Sequence, residues 1–218
     1  MIVHSTLSFA LNALSYPGLA IGYRIISLGD EHSLMRKELP AFATSVTKVQ
    51  RASGAARCVA RNLLKEMGFP ACALPRLSSG ETDWPAGIVG SLAHDSLIAV
   101  AALGPASSMA AVGIDVEPAE LLPRGLLNIV ATPRERQRID DDPYQGRLLF
   151  AIKEAVYKAA YSLDHIFLDH HEVEVHIPER RATTRYGRTV QFQFCFSSHL
   201  IAVAVIPAER NMSSICIA

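Results

Sequence analysis

The spacing of apolar and polar positions changes several times along this chain, and each change marks an element. Residues 51–67 place Ala55, Val59, Leu63, Leu64 and Met67 at helical intervals and stop at Gly68, a natural C-cap. Arg57 and Arg61 stand four apart, on one face of that helix. Over residues 69–87 Pro, Ser and Gly break the pattern into a loop. Residues 88–103 carry Gly90-Ser91, read as a turn, and His94-Asp95 near their start, and end in an Ala/Val-rich run that reads as a buried strand. Gly104-Pro105 and two serines then form a linker to Ala111, dividing the chain into halves 1–108 and 109–218. In residues 113–117, Ile114 and Val116 alternate with polar neighbours, so a strand would turn Asp115 and Glu117 to the same side. Thr132-Pro133-Arg134-Glu135 has the form of a capping box, with Thr at N-cap, Pro at N1 and Glu at N3. A helix over residues 145–161 puts Glu154 and Lys158 on one face, one turn apart. Strands are predicted at 172–177, at 189–196 in strict alternation, and at 200–206, with Arg180, Arg181, Arg185 and Arg188 solvated around a hairpin turn. The fold class is α+β, with helices and strands in both halves.

Composition narrows this picture only a little. The chain has 218 residues, 50% hydrophobic and 19% charged, as ordinary globular proteins do. Lys+Arg and Asp+Glu are both 21, so overall charge gives no argument for a nucleic-acid or membrane partner. Cys58, Cys72, Cys195 and Cys216 have apolar neighbours and no paired spacing, which fits reduced thiols in a cytosol and argues against zinc. Residues 1–26 are apolar but lack a basic start, and Asn12, Pro17 and Gly18 interrupt them before membrane-spanning length. They read as part of a folded, cytoplasmic protein.

The chemistry lies in the two charged segments. Alone, an Asp-x-Glu at a strand end is a solvated edge, and an i,i+4 Glu–Lys pair is a surface contact of about 0.2–0.5 kcal/mol. Here Phe150, Ala151, Ile152, Ala155 and Val156 make most of the helix circumference apolar, so its charged face is narrow and suits a cleft. Asp115, Glu117 and Glu154 would offer oxygen ligands for Mg²⁺, and Lys153 and Lys158 would suit phosphate oxygens. That set points to phosphoryl transfer. Trp84-Pro85 reads as a packing anchor.

In combination, Gly113-Ile114-Asp115-Val116-Glu117 and Phe150-Ala151-Ile152-Lys153-Glu154-Ala155-x-Tyr157-Lys158-Ala159 resemble the signature pair of the Sfp-type (type II) 4′-phosphopantetheinyl transferases. The branch is that of the siderophore-synthetase activators and the mycobacterial enzyme. Trp84-Pro85-x-Gly87-x-Val89-Gly90-Ser91-Leu92-x-His94, Ala60-Arg61 with Arg57 upstream, and Phe167-Leu168-Asp169 agree, so the resemblance spans residues 48–170. It implies two similar α+β halves related by a pseudo-two-fold, with coenzyme A and Mg²⁺ in the cleft between them. It implies transfer of the phosphopantetheine arm to a serine of acyl, aryl or peptidyl carrier proteins in polyketide, nonribosomal peptide or fatty acid synthesis, releasing 3′,5′-ADP. A monomer is expected. By resemblance, Asp115, Glu117 and Glu154 are metal ligands, and Glu154 is also the candidate general base. Lys153 and Lys158 hold phosphates, with Lys158 steadying the leaving group. Arg57, Arg76 and His94 bind the 3′-phosphate and pyrophosphate, and Lys48 or Arg51 marks a further basic position. Carrier proteins are acidic near their serine, so Arg134, Arg136 and Arg138 are a candidate docking lip. The chain departs from the family at Ala93, usually Ser or Thr, at Ala56, often Gly, and at Gly54 and Asn62. Two other readings remain open: a non-catalytic sensor or scaffold that binds coenzyme A or a carrier, and an unrelated Mg²⁺ hydrolase.

Overall fold

In the computed structural model, residues 2–123, 125–140 and 142–208 are described, without the side chains of residues 2–5. Cys216 lies outside them. Three strands, β1 (Ala20–Ile25), β2 (Ile88–His94) and β3 (Ile98–Pro105), form an antiparallel sheet in the order β1-β3-β2. Five more, β4 (Met109–Pro118), β5 (Val173–His176), β6 (Arg181–Thr184), β7 (Thr189–Phe196) and β8 (His199–Pro207), form a second in the order β4-β8-β7-β6-β5. The helices are α1 (Ile2–Asn12), α2 (Thr47–Glu66), α3 (Leu127–Val130), α4 (Pro133–Arg138) and α5 (Pro143–Asp164).

The alternation along the strands explains the layering. From β3, Ile98, Val100 and Ala102 join Val112, Ile114 and Val116 of β4 and Ile201, Val203 and Val205 of β8 in a core between the two sheets. The intervening residues turn to the helices. Ala101 and Leu103 pack with Val59, Leu63 and Leu64 of α2, and Ala202 and Ala204 pack with the apolar face of α5. Both strands are therefore buried on two faces, which is why they read as continuous apolar runs.

One five-residue run occurs twice in the chain. Leu97-Ile98-Ala99-Val100-Ala101 recurs as Leu200-Ile201-Ala202-Val203-Ala204. In the first sheet Ala101 pairs with Gly22, and in the second Ala204 pairs with Gly113. Each glycine faces a helix. A Cβ on Gly22 would stand 3.0 Å from Val59 Cγ1, and one on Gly113 would stand 1.9 Å from the Ala155 carbonyl oxygen. The absence of a side chain at Gly113 lets α5 lie against β4.

Several expected elements need correction. The Ala/Val-rich run is β3 as expected, but Gly90-Ser91 lies within β2 rather than in a turn, and β2 and β3 form a hairpin. Its turn lacks glycine: Asp95 Oδ1 accepts from the Leu97 and Ile98 amides at 2.7 Å each, and the Asp95 amide donates to the Ile98 carbonyl. The supposed linker is a tight turn at residues 106–108, because β3 continues to Pro105 and β4 starts at Met109. β1 and β6 were not expected. The arginines around β6 are engaged: Arg180 lies over the Phe194 ring, Arg185 pairs with Glu172, and Arg188 pairs with Asp164. Both long helices, the capping box at Thr132 and the strands at β4, β5, β7 and β8 form as expected. Among the described residues no helix is long and apolar enough to cross a membrane, and Cys58, Cys72 and Cys195 are free thiols.

Candidate active site

Because Ile114 and Val116 are drawn into the inter-sheet core, Asp115 and Glu117 point the opposite way, toward α5. Helical spacing brings Arg147, Glu154 and Lys158 onto the facing side of α5. Lys158 Nζ donates to Asp115 Oδ1 at 2.7 Å and to the Ile114 carbonyl at 3.0 Å. Arg147 Nη1 donates to Glu117 Oε2 at 2.5 Å, and His170 Nε2 stands 3.1 Å from Glu154 Oε1. Each carboxylate thus uses one oxygen on a neighbour. Asp115 Oδ2 is buried and accepts no hydrogen bond, and no bond reaches Glu117 Oε1 or Glu154 Oε2 among the described residues.

Burial pushes the Asp115 pKa up to about 6, against the opposing pull of Lys158, and the charges of Glu154 and Glu117 add to the rise. The pKa of Glu117 is also raised, first by burial, with Arg147 opposing and Asp95 and Glu154 adding. Burial, ahead of repulsion among the three carboxyl groups, therefore disfavours the charged forms of Asp115 and Glu117. Among the described residues no group of three His, Cys, Asp or Glu side chains is arranged to hold a metal as it stands. The donor chemistry nonetheless fits a hard cation, since a buried carboxylate oxygen without a donor is costly unless something positive meets it.

The raised pKa has a consequence for the metal-free protein. Asp115 binds its proton more tightly folded than unfolded, where the value is about 3.9. Its contribution is therefore most favourable below the unfolded value and is lost as pH rises through about 6. Relative to Asp115→Asn, the wild type should lose on the order of 2–3 kcal/mol between about pH 4 and pH 7, read from urea unfolding. A pH-independent difference would show that the carboxylate is ionised throughout.

A cleft of about 800 Å³ opens beside Lys158. Arg57, Arg76, Trp84 and His94 line it from the first half, and Tyr157, Lys158, Tyr161 and His165 from the second. Arg57 is buried, its Nε donating to the Leu74 carbonyl at 2.8 Å and its guanidinium lying over Phe42. Burial lowers its pKa first, Glu38 opposes the fall, and Arg61 and Arg76 add to it. His94 keeps an exposed edge, yet surrounding protein lowers its pKa, with Lys158 and Arg57 adding to the effect. Arg57, Arg76 and Lys158 thus bring cationic groups to a cleft that also carries Glu81 and Asp83 on its wall, and an anionic ligand has those cations to meet. Across it, Tyr161 donates to the Ser79 carbonyl at 3.1 Å and His165 pairs with Glu81, tying the turn after Arg76 to the end of α5.

Not every expected residue arrives here. Lys153 is 1% exposed and points away from the cleft. Its ammonium donates to Glu135 Oε2 at 2.6 Å and to the Val130 and His170 carbonyls at 2.8 Å each. All three donors are used, so the expected phosphate contact is corrected to a structural one. Arg51 is paired with Glu31 at 2.8 Å, Lys48 is exposed, and neither lines the cleft. Arg61 turns to the buried Glu38. Trp84 both packs against Gly90 and lines the cleft. Ala93 belongs to the inter-sheet core, so its missing hydroxyl takes nothing from the cleft wall. Gly54 is required where α2 meets Asp30, whose carbonyl oxygen would stand 2.0 Å from a Cβ. In the proposed docking lip, Arg138 is held by Glu174 and the Val175 carbonyl. Arg147, His170 and Tyr161 were not expected at the site, and Glu135 was expected only as part of a helix cap. Only the i−7 spacing of Arg147 from Glu154 hinted at any of them.

Residues 37–104 match the family model of the 4′-phosphopantetheinyl transferase N-terminal domain, and residues 111–210 match that of the 4′-phosphopantetheinyl transferase superfamily. Among curated proteins, the chain is similar to the 4′-phosphopantetheinyl transferase Npt of Nocardia iowensis, with 38% identity over 137 residues, 62% of each chain. It is 36% identical over 131 residues to PptT of Mycobacterium tuberculosis, 58% of each chain. With Svp of Streptomyces mobaraensis it is 36% identical over 148 residues, 65% of this chain and 60% of that one. The chain thus spans about three fifths of the length of the curated relatives it matches.

Proposed function

This chain belongs to the Sfp-type 4′-phosphopantetheinyl transferases, and on that premise we propose that it moves the phosphopantetheine arm of coenzyme A to a serine of a carrier protein. The observation that carries the reading is the cleft in which Arg57, Arg76 and His94 face Lys158 beside Asp115, Glu117 and Glu154. The cationic groups suit the 3′-phosphate and pyrophosphate, and the carboxylates suit Mg²⁺.

The serine oxygen forms a bond to the phosphorus that bears pantetheine, and the bridging P–O bond to 3′,5′-ADP breaks. A hydroxyl is a weak nucleophile at neutral pH, so a base must take its proton, and Glu154 is assigned that role. Asp115, Glu117 and Glu154 would hold Mg²⁺, which when bound supplies positive charge to the pyrophosphate oxygens. Lys158, 29% exposed at the cleft, is placed to steady the leaving phosphate. Arg57, fixed by Leu74 and Phe42, loses little freedom on binding an anion. The halves divide at 108/109 about a pseudo-two-fold, and the protein acts as a cytoplasmic monomer.

Incubation with coenzyme A, Mg²⁺ and an apo carrier should add one phosphopantetheinyl group to the carrier serine, read by intact mass. Glu154→Gln should slow transfer by about 10²–10⁴-fold while coenzyme A still binds. Coenzyme A binding without transfer to any of several carriers would mark a sensor. Release of 3′,5′-ADP without carrier would mark a hydrolase.

A further inference from the structure

Two of the three carboxylates owe their orientation to side chains outside the family signature. Arg147 lies on α5 with its side chain 13% exposed, and all of its fork is engaged. Nη1 donates to Glu117 Oε2 at 2.5 Å, Nη2 to the Leu121 carbonyl at 3.0 Å, and Nε to the Glu120 carbonyl at 3.4 Å. It therefore ties the end of β4 and the turn after it to the helix that carries Glu154. His170 is held from both sides: its ring stacks on Phe150 with centroids 5.5 Å apart, and its carbonyl accepts from Lys153. Its Nε2 stands 3.1 Å from Glu154 Oε1.

We propose that Arg147 and His170 are positioning residues of the divalent-cation site, each engaging one oxygen of a carboxylate and leaving the other to the cation. This rests on the functional reading above. Asp115 completes the arrangement without them, because Lys158 engages Oδ1 and Oδ2 stays buried and unpartnered. Partners of this kind set ligand direction, and their loss typically weakens metal binding 10–100-fold. The sign separates positioning from simple charge. Arg147 is a cation beside a cation site, so by Coulomb's law alone its removal would tighten metal binding.

The test is Mn²⁺ titrated into the full chain with coenzyme A present, with free Mn²⁺ followed by electron paramagnetic resonance. Arg147→Gln and His170→Ala should each raise the Mn²⁺ Kd by about 10–100-fold. His170→Gln, whose amide reaches a similar place, should recover most of that loss, and Arg147→Lys should fall between. Thermal unfolding checks that each variant is folded; where Arg147→Gln or His170→Ala is not, Arg147→Lys and His170→Gln carry the comparison. Unchanged or tighter Mn²⁺ binding in folded variants would overturn the proposal and leave the transferase reading intact. A wild type that takes up no Mn²⁺ would remove the cation site itself, and this inference with it.

Discussion

Lys153→Met is expected to lower the free energy of unfolding by about 3–5 kcal/mol, because it leaves the Glu135 carboxylate buried without its cation. Glu135 is 1% exposed and joins several segments: Oε2 accepts from the Thr132 amide and Lys153, and Oε1 from the Val175 amide at 2.7 Å. Lys153 completes the junction by holding the carbonyl of Val130 at the end of α3 and that of His170 before β5. Burial lowers the Lys153 pKa, with Glu135 opposing, so the pair survives by mutual compensation. Urea unfolding of Lys153→Met, alone and with Glu135→Gln, measures this. The double variant should recover part of the loss, since the neutral amide strands no charge and its one oxygen still accepts from one of the two backbone amides. A single variant within about 0.5 kcal/mol of wild type, the range of surface substitutions, with a raised KM for coenzyme A, would return Lys153 to the phosphates.

Gly113→Ala should cost more than the 1–3 kcal/mol usual for an overfilled core. The new methyl would stand 1.9 Å from the Ala155 carbonyl oxygen and 2.8 Å from the Ala159 amide nitrogen, both helix backbone that no rotamer change can move aside. β4 and α5 would have to part, taking Asp115 from Lys158. Gly22→Ala is the internal control. At the matching register it meets only side-chain atoms of Val59 and Leu63, the nearest at 3.0 Å. Thermal melts followed by circular dichroism should show a far larger drop in Tm for Gly113→Ala. Equal drops would mean that α5 yields as readily as two flexible side chains.

The contrast between these glycines shows what patterns reveal. The alternation in 113–117 and the spacing of Glu154 from Lys158 are local properties, and a strand and a helix had to present those groups as they do. The hairpin at Asp95 escaped because its turn is closed by a carboxylate rather than by a glycine pair. Short β6 escaped because alternation over four residues is weak, and its flanking arginines resemble any solvated turn.

What the sequence determined by itself was the two long helices, most of the strands, the side of β4 that carries Asp115 and Glu117, and the helix face that carries Glu154 and Lys158. Those follow from dihedral periods, which act over a few residues. Only the tertiary structure decided which of two lysines on α5 enters the cleft. Lys153 and Lys158 look alike in the sequence, yet α5 turns the first to Glu135 in the interior and the second to Asp115. The same packing selected Arg147 and His170 as partners of the carboxylates, from positions 30 and 16 residues away in the chain. Pairing over such separations depends on how strand and helix layers meet, and no local period records it.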